Sequence, residues 1–175
     1  MTSGSATDAA LVTERRAAAW EVAASVTDPE MPMLTLADLG VLRDVSVEGG
    51  RVVVTITPTY SGCPAMRAIE QDVLAALRGR GWTDARVRTV YAPAWTTDWM
   101  TDAAREKLRA YGIAPPGRVP REEFVVLRRR AAAPVACPFC GSTYTALRSE
   151  FGSTACKAVH YCNACRQPFE EFKAI

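Results

Sequence analysis

The sequence predicts an α+β fold: a small mixed sheet with helices, followed by a tail of a different kind. Three observations predict it. Helix-period and strand-like apolar runs alternate between turn signals as far as Pro115-Pro116-Gly117. The 175 residues, 49% of them hydrophobic, suffice for one proper core and one small appendage. The appendage shows in four cysteines, Cys137-Pro138-Phe139-Cys140 and Cys162-Asn163-Ala164-Cys165, two C-x-x-C units with 21 residues between them. Two intervening residues let both sulfurs of a pair reach one ion from a tight turn, and two such turns complete a tetrahedral site. Gly141, just after the first pair, suits a left-handed backbone. The expectation is a zinc ribbon, two short hairpins clamped by Zn2+ through Cys137, Cys140, Cys162 and Cys165. Two disulfides or four unrelated thiols are the alternative. Residues 1–117 then form a first domain, 118–133 a linker and 134–175 the ribbon.

Each element follows from its pattern. Ala6 to Val26 sets Leu11, Val12, Trp20, Val22, Ala23 and Val26 among alanines, a helix packed on one face with Ser5 or Thr7 as cap. Asp28-Pro29-Glu30-Met31-Pro32 breaks it, because neither proline continues a helix. Val41–Val47 and Arg51–Thr57 read as strands joined by Glu48-Gly49-Gly50, a hairpin signal. Pro58 to Pro64 is a loop. Ala65 to Arg78 returns to helix, with Met66, Ile69, Val73, Leu74 and Leu77 along one face and Pro64 at its start. Ala85 to Tyr91 is a third strand. Asp98 to Tyr111 is a further helix, apolar at Trp99, Met100, Ala104, Leu108 and Tyr111, capped by Thr97 or Asp98 and ended by Gly112.

Charge and composition exclude several functions. Residues 1–117 carry 12 basic and 14 acidic side chains, a net of −2, and residues 118–175 carry 9 and 5, a net of +4. Four thiolates on a divalent zinc would bring the tail to about +2. The basic run Arg128-Arg129-Arg130 lies in the linker, so a solvated hinge explains it better than nucleic acid does. No apolar run is long enough to span a bilayer, and Met1–Ala10 lacks a basic region followed by an apolar stretch. Six cysteines in an unexported chain point to metal or thiol chemistry in a reducing compartment, so the expected location is cytoplasmic.

Cys63 is a thiol of a second kind. It ends Thr57-Pro58-Thr59-Tyr60-Ser61-Gly62-Cys63-Pro64, just before a helix, at a cap position. There, unpaired N–H groups and the positive end of the helix dipole favour thiolate. Gly62 permits close backbone approach, and Thr59 and Ser61 supply hydroxyls. The alternative is a small buried hydrophobe at a strand-to-helix turn. The single histidine, His160, sits beside the ribbon, which leaves no Cys-His nucleophile. Asp28, Glu30 and Asp38 precede the hairpin. Brought beside Cys63 they would make a mixed oxygen and sulfur site able to hold iron transiently; taken singly, they read as turn caps or solvated acids.

Asp28-Pro29-Glu30-Met31-Pro32, Asp38-Leu39-Gly40-Val41 and the Thr57–Ala65 segment together resemble the metal–sulfur cluster biosynthesis domain of the SufT-like family, whose members help deliver iron–sulfur clusters. The resemblance sets that family's reactive cysteine at Cys63 and its acidic motif at Asp28 and Glu30, with Met31 where relatives often carry Ile or Val. From about Trp20 onward the likeness narrows. Pro93-Ala94-Trp95-Thr96-Thr97-Asp98-Trp99-Met100, Leu108-Arg109-Ala110-Tyr111-Gly112-Ile113-Ala114-Pro115-Pro116 and Ser149-Glu150-Phe151-Gly152-Ser153-Thr154-Ala155-Cys156-Lys157-Ala158, with the paired cysteines, are similar to the PaaD family of the bacterial phenylacetate pathway.

The resemblance implies an accessory protein of the phenylacetyl-CoA 1,2-epoxidase system, described as one of its subunits. Its task would be to mature or deliver the cluster of the iron–sulfur reductase component, its chief partner. A transient iron–sulfur cluster or iron would be handled by Cys63 with Asp28, Glu30 and Thr59. No catalysis is implied: the chain shows no flavin or nicotinamide fingerprint, and one histidine cannot furnish the two Glu-x-x-His units of a di-iron site. Cys156, between the ribbon pairs, has three readings: a spare buried cysteine, an alternative ligand, or a thiol for partner contact or cluster handling. In the third, Phe151-Gly152-Ser153-Thr154 displays it and Lys157 lowers its pKa. Two rival functions stay open, a permanent structural subunit of the oxygenase complex and a ribbon that carries iron to pass electrons. Homodimerisation is open as well.

Overall fold

The structure, a computed structural model, describes residues 4–60, 62–117 and 134–174. The expected linker with Arg128-Arg129-Arg130 lies outside them, as do Ser61 and the side chains of Ser5 and Thr7. The chain divides into two compact units, one through Trp95 and one from Thr96 onward.

In the first unit the order is α1 (Gly4–Ala24), β1 (Leu42–Glu48), β2 (Arg51–Ile56), α2 (Met66–Arg78) and β3 (Arg86–Thr89), with one sheet ordered β1-β2-β3. β1 and β2 are an antiparallel hairpin whose last pair is Glu48 with Arg51. Gly49 and Gly50 turn it with φ of +58° and +80°, a backbone that side chains resist. α2 then carries the chain across, so that β3 lies parallel to β2 with Val87 beside Val54. Ile69, Val73 and Leu77 of α2, at helical spacing, join Val45, Val52, Val54 and Ile56 in the core. α1 differs from expectation. Leu11, Val12 and Trp20 are exposed, and Ala19 and Ala23 are its buried residues. Alanines four apart let the last turns sit close to the sheet, while Asp8–Ala17 stand in solvent. Arg16 still ties this stretch to β1: its Nε donates to Val45 O at 2.6 Å, and its Nη2 to Asp44 Oδ1 at 2.8 Å.

In the second unit a 3-10 turn (Thr97–Trp99) precedes α3 (Asp102–Ala110), β4 (Ile113–Ala114), β5 (Thr145–Ser149), β6 (Lys157–Cys162) and β7 (Pro168–Phe172). The single helix expected over 98–111 is therefore split. Met100 and Thr101 are extended, and Thr101 Oγ1 accepts the Ala104 N–H at 3.0 Å, so the cap is Thr101 rather than Thr97 or Asp98. Met100, Ala104 and Leu108 are buried as their spacing predicts, whereas Tyr111 is exposed. β5, β6 and β7 form an antiparallel meander, and β4 adds to β7 in parallel, Ile113 beside Glu170. The sheet order is β4-β7-β6-β5. That two-residue pairing groups residues 96–117 with the ribbon strands, whereas the sequence sets the boundary after Gly117.

Candidate metal centre and the Cys63 loop

Each cysteine pair sits in a tight knuckle, and the two knuckles are built alike. In the first, the Gly141 N–H donates to Cys137 O and the Cys137 N–H to Ser142 O, both at 2.9 Å. In the second, the Arg166 N–H donates to Cys162 O at 2.8 Å and the Cys162 N–H to Gln167 O at 2.9 Å. The residue after each pair is left-handed, with φ of +73° at Gly141 and +62° at Arg166. Glycine takes that backbone without strain; arginine does not.

All four Sγ atoms lie within 4.8 Å of one another, with 3.7 Å from Cys137 to Cys165 and 3.6 Å from Cys140 to Cys162. Sulfurs about 2.3 Å from one tetrahedral ion stand about 3.8 Å apart, so the quartet fits a metal site. None of the six cysteines is in a disulfide. Cys137 and Cys162 are buried with Ala114 and Phe169, and Cys140 reaches the surface. His160 stacks at 5.5 Å on Phe169, itself packed with Cys137 and Cys162, and its Nε2 lies 2.8 Å from Oε2 of the half-buried Glu171. The four thiols differ in their surroundings. The Cys165 N–H donates to Cys162 Sγ and lowers that thiol to about 7, whereas burial pushes Cys165 up to about 12. A bound divalent cation would hold all four as thiolates.

Cys63 is half-buried in the loop between β2 and α2, with its N–H donating to Tyr60 O at 3.3 Å. It is not the cap. Ala65 is, with a helical backbone and no side-chain cap bond, so the Cys63 thiol stands two residues upstream of a helix start that no side chain caps. Gly62 has φ of +105°, a value reserved for glycine. Asp28 is buried, and its Oδ1 accepts the Glu30 N–H at 2.8 Å and the Met31 N–H at 2.9 Å, which fixes the turn through Pro29. Asp38 and Thr35 cap each other: Thr35 N–H donates to Asp38 Oδ2, and Asp38 N–H to Thr35 Oγ1. Glu30 and Thr59 are half-buried. Among the described residues, the ribbon quartet is the one group of three or more Cys, His, Asp or Glu side chains that converge, so Asp28, Glu30 and Cys63 do not form a ligand cluster. The loop also holds a residue that sequence reasoning passed over. Thr57 is buried, and its hydroxyl has no hydrogen-bond partner among the described residues. Its signal was its place beside Pro58 at the end of a strand.

Cys156 is not displayed by its turn. It is buried, with Sγ 3.0 Å from Thr154 Oγ1, and it lies outside the metal quartet. Lys157, expected to lower the pKa of that sulfur, reaches Glu170 Oε2 at 3.3 Å.

Two family models match the chain: iron–sulfur cluster assembly protein over residues 16–89, and PaaD zinc beta ribbon domain over residues 122–173. A protein of Escherichia coli (strain K12), named as a subunit of 1,2-phenylacetyl-CoA epoxidase, is 45% identical over 162 residues, covering 89% of this chain and 91% of that one. This chain belongs to the PaaD family. The first unit of the PaaD-family chain has its own relatives. An Fe-S protein maturation auxiliary factor of Porphyromonas gingivalis (strain ATCC BAA-308 / W83) is 34% identical, with 48% of this chain and 81% of that one covered. A crystal structure of the domain of unknown function DUF59 from Bacillus anthracis superposes with a TM-score of 0.53 at 26% identity, covering 57% of this chain and 96% of that one. The PaaD-family chain is thus α+β with a metal-binding ribbon, as its motifs predict. No helix among the described residues is long and apolar enough to cross a membrane.

Proposed function

We propose that this chain is a non-catalytic, cytoplasmic accessory protein of the phenylacetyl-CoA 1,2-epoxidase system that matures or delivers the iron–sulfur cluster of its reductase component. The observation that carries the reading is the Cys63 thiol. It is partly accessible, outside any disulfide, and set before an uncapped helix start in the unit matched by the assembly-protein family. A thiolate there trades places with other thiolates on iron: one iron–sulfur bond forms as another breaks, with no change of oxidation state. Asp28 shapes its own loop, and Glu30 and Thr59 would offer oxygen atoms to the iron. The quartet Cys137, Cys140, Cys162 and Cys165 holds zinc and folds the ribbon as a docking module, because few apolar side chains are available to hold it otherwise.

The test is complementation of a deletion strain with Cys63→Ala, joined to metal and sulfide analysis of protein purified without oxygen. The variant should keep its zinc and its fold, bind no iron, and lose support of epoxidase activity. Full complementation by Cys63→Ala ends the exchange role.

A second reading, a permanent structural subunit of the epoxidase complex, is favoured by the likeness over nearly the whole length to a protein named as a subunit. Co-purification with the catalytic subunits at fixed stoichiometry would select it over transient association with the reductase.

A further inference from the structure

Residues 97–116 are joined to the ribbon by more than the backbone pairing of β4. Phe139, inside the first cysteine pair and otherwise exposed, lays its ring against Gly112, where α3 ends. A Cβ on Gly112 would stand 2.9 Å from Phe139 Cε1 and 3.0 Å from Cζ. Gly112 has φ of +77°, the backbone of a helix-ending glycine, so the ring meets bare main chain. β4 follows at once. Its Ala114, 1% exposed, lies in one buried cluster with Cys137, Cys162 and Phe169. It pairs with Glu171, whose carboxylate holds His160. Two of the four metal-site thiols are thus core neighbours of a strand that precedes both knuckles.

The same residues are tied to one another. The half-buried Arg105 of α3 donates from Nη1 to Pro116 O at 2.7 Å and from Nη2 to Thr97 O at 2.8 Å, so one side chain closes both ends. Thr101 caps α3 at its start, and the Gly112 N–H donates to Arg109 O at 3.0 Å at its end. The piece is closed, but it is too small to stand alone. A helix of nine residues is marginal in water, and a strand of two residues needs a core already in place. It shares a compact unit with the ribbon, and the ribbon, with few apolar side chains, depends on its ion.

We propose that metal occupancy of Cys137, Cys140, Cys162 and Cys165 decides whether α3 and β4 are folded, with Phe139 as the latch. Loss of the ion frees the knuckle that carries Phe139. The ring then leaves Gly112, Ala114 loses its cluster, and the two bonds of Arg105 do not keep nine residues helical. Met100, Ala104 and Leu108, buried in the loaded chain, are uncovered in the empty one. The loaded and empty chains therefore present different surfaces well before the first cysteine pair in sequence. The inference rests on the reading of the quartet as a zinc site and extends its effect to a helix outside the ribbon hairpins.

Hydrogen exchange of the full chain, read by mass spectrometry, tests this with Zn2+ bound and after its removal by a strong chelator. Without metal, amides of α3 and β4 should exchange about tenfold faster or more, while those of β1, β2 and β3 keep their rates. Added Zn2+ should restore slow exchange. Phe139→Ala, at an exposed position, should keep its zinc and the protection of β6 and β7, yet speed exchange in α3 at least about threefold. Cys63→Ala should behave as wild type in every arm. Equal protection of α3 with and without metal overturns the switch and leaves the maturation reading intact. Unchanged α3 exchange in Phe139→Ala overturns the latch. No metal-dependent change anywhere, β6 and β7 included, overturns the zinc staple and the switch together.

Discussion

Arg166 occupies a backbone position that Gly141 occupies in the matching knuckle, and only one of the two residues suits it. A left-handed residue with a side chain costs about 1–2 kcal/mol, partly offset by the greater freedom that glycine loses on folding. Arg166→Gly should therefore stabilise the metal-loaded ribbon by up to about 1 kcal/mol, read as a higher melting temperature at saturating zinc. A lower melting temperature would show that the arginine side chain contributes more than its backbone costs. The sequence announced Gly141 and hid Arg166, because a glycine signals its backbone and an arginine does not. Cys156 was hidden in another way. Its neighbour Lys157 reads as an activator until a carboxylate thirteen positions later, Glu170, claims it. Pairings of that range carry no local pattern.

Among the elements, patterns that depend on spacing survived best. The two-glycine hairpin turn, the apolar stripe of α2 and the paired cysteines each follow from local geometry, and each stands where expected. The segment 98–111 reads as one helix because Met100, Ala104 and Leu108 keep helical spacing, although Met100 and Thr101 are extended. The cap at Thr101 was available in the sequence but read as interior. Glu170 on β7 has its own pH signature. The Glu170 carboxyl is held below its ordinary 4.5: burial works to raise it, but the Ser153 N–H and hydroxyl and the Lys157 ammonium outweigh burial. A depressed folded-state pKa stabilises above the ordinary value, and that stabilisation is lost as pH falls through and below 4.5. Glu170→Gln should remove this part of the ribbon's acid sensitivity, compared by melting at pH values on either side of that range. Equal acid sensitivity in both proteins would show that Glu170 does not contribute to it.

For the whole molecule, two units imply two stabilities. A strong zinc chelator, or Cys137→Ser, should unfold the meander of β5, β6 and β7 and leave the β1-β2-β3 sheet with its helices melting as before. Circular dichroism with and without chelator checks this, and a single transition that moves as one would contradict it. The cluster-assembly likeness and the ribbon were both legible, since Asp28–Pro32, Thr57–Pro64 and the C-x-x-C pairs are compact motifs. The strand β4 was not, because its two residues carry no pattern beside the loud Pro115-Pro116-Gly117 break.

Those two residues decide where the gene is safely cut. A fragment that starts at codon 134 lacks Ile113 and Ala114, and the final strand then offers a raw seam to any passing chain. Starting at Thr96 keeps that seam sewn, and with it the solubility of the piece.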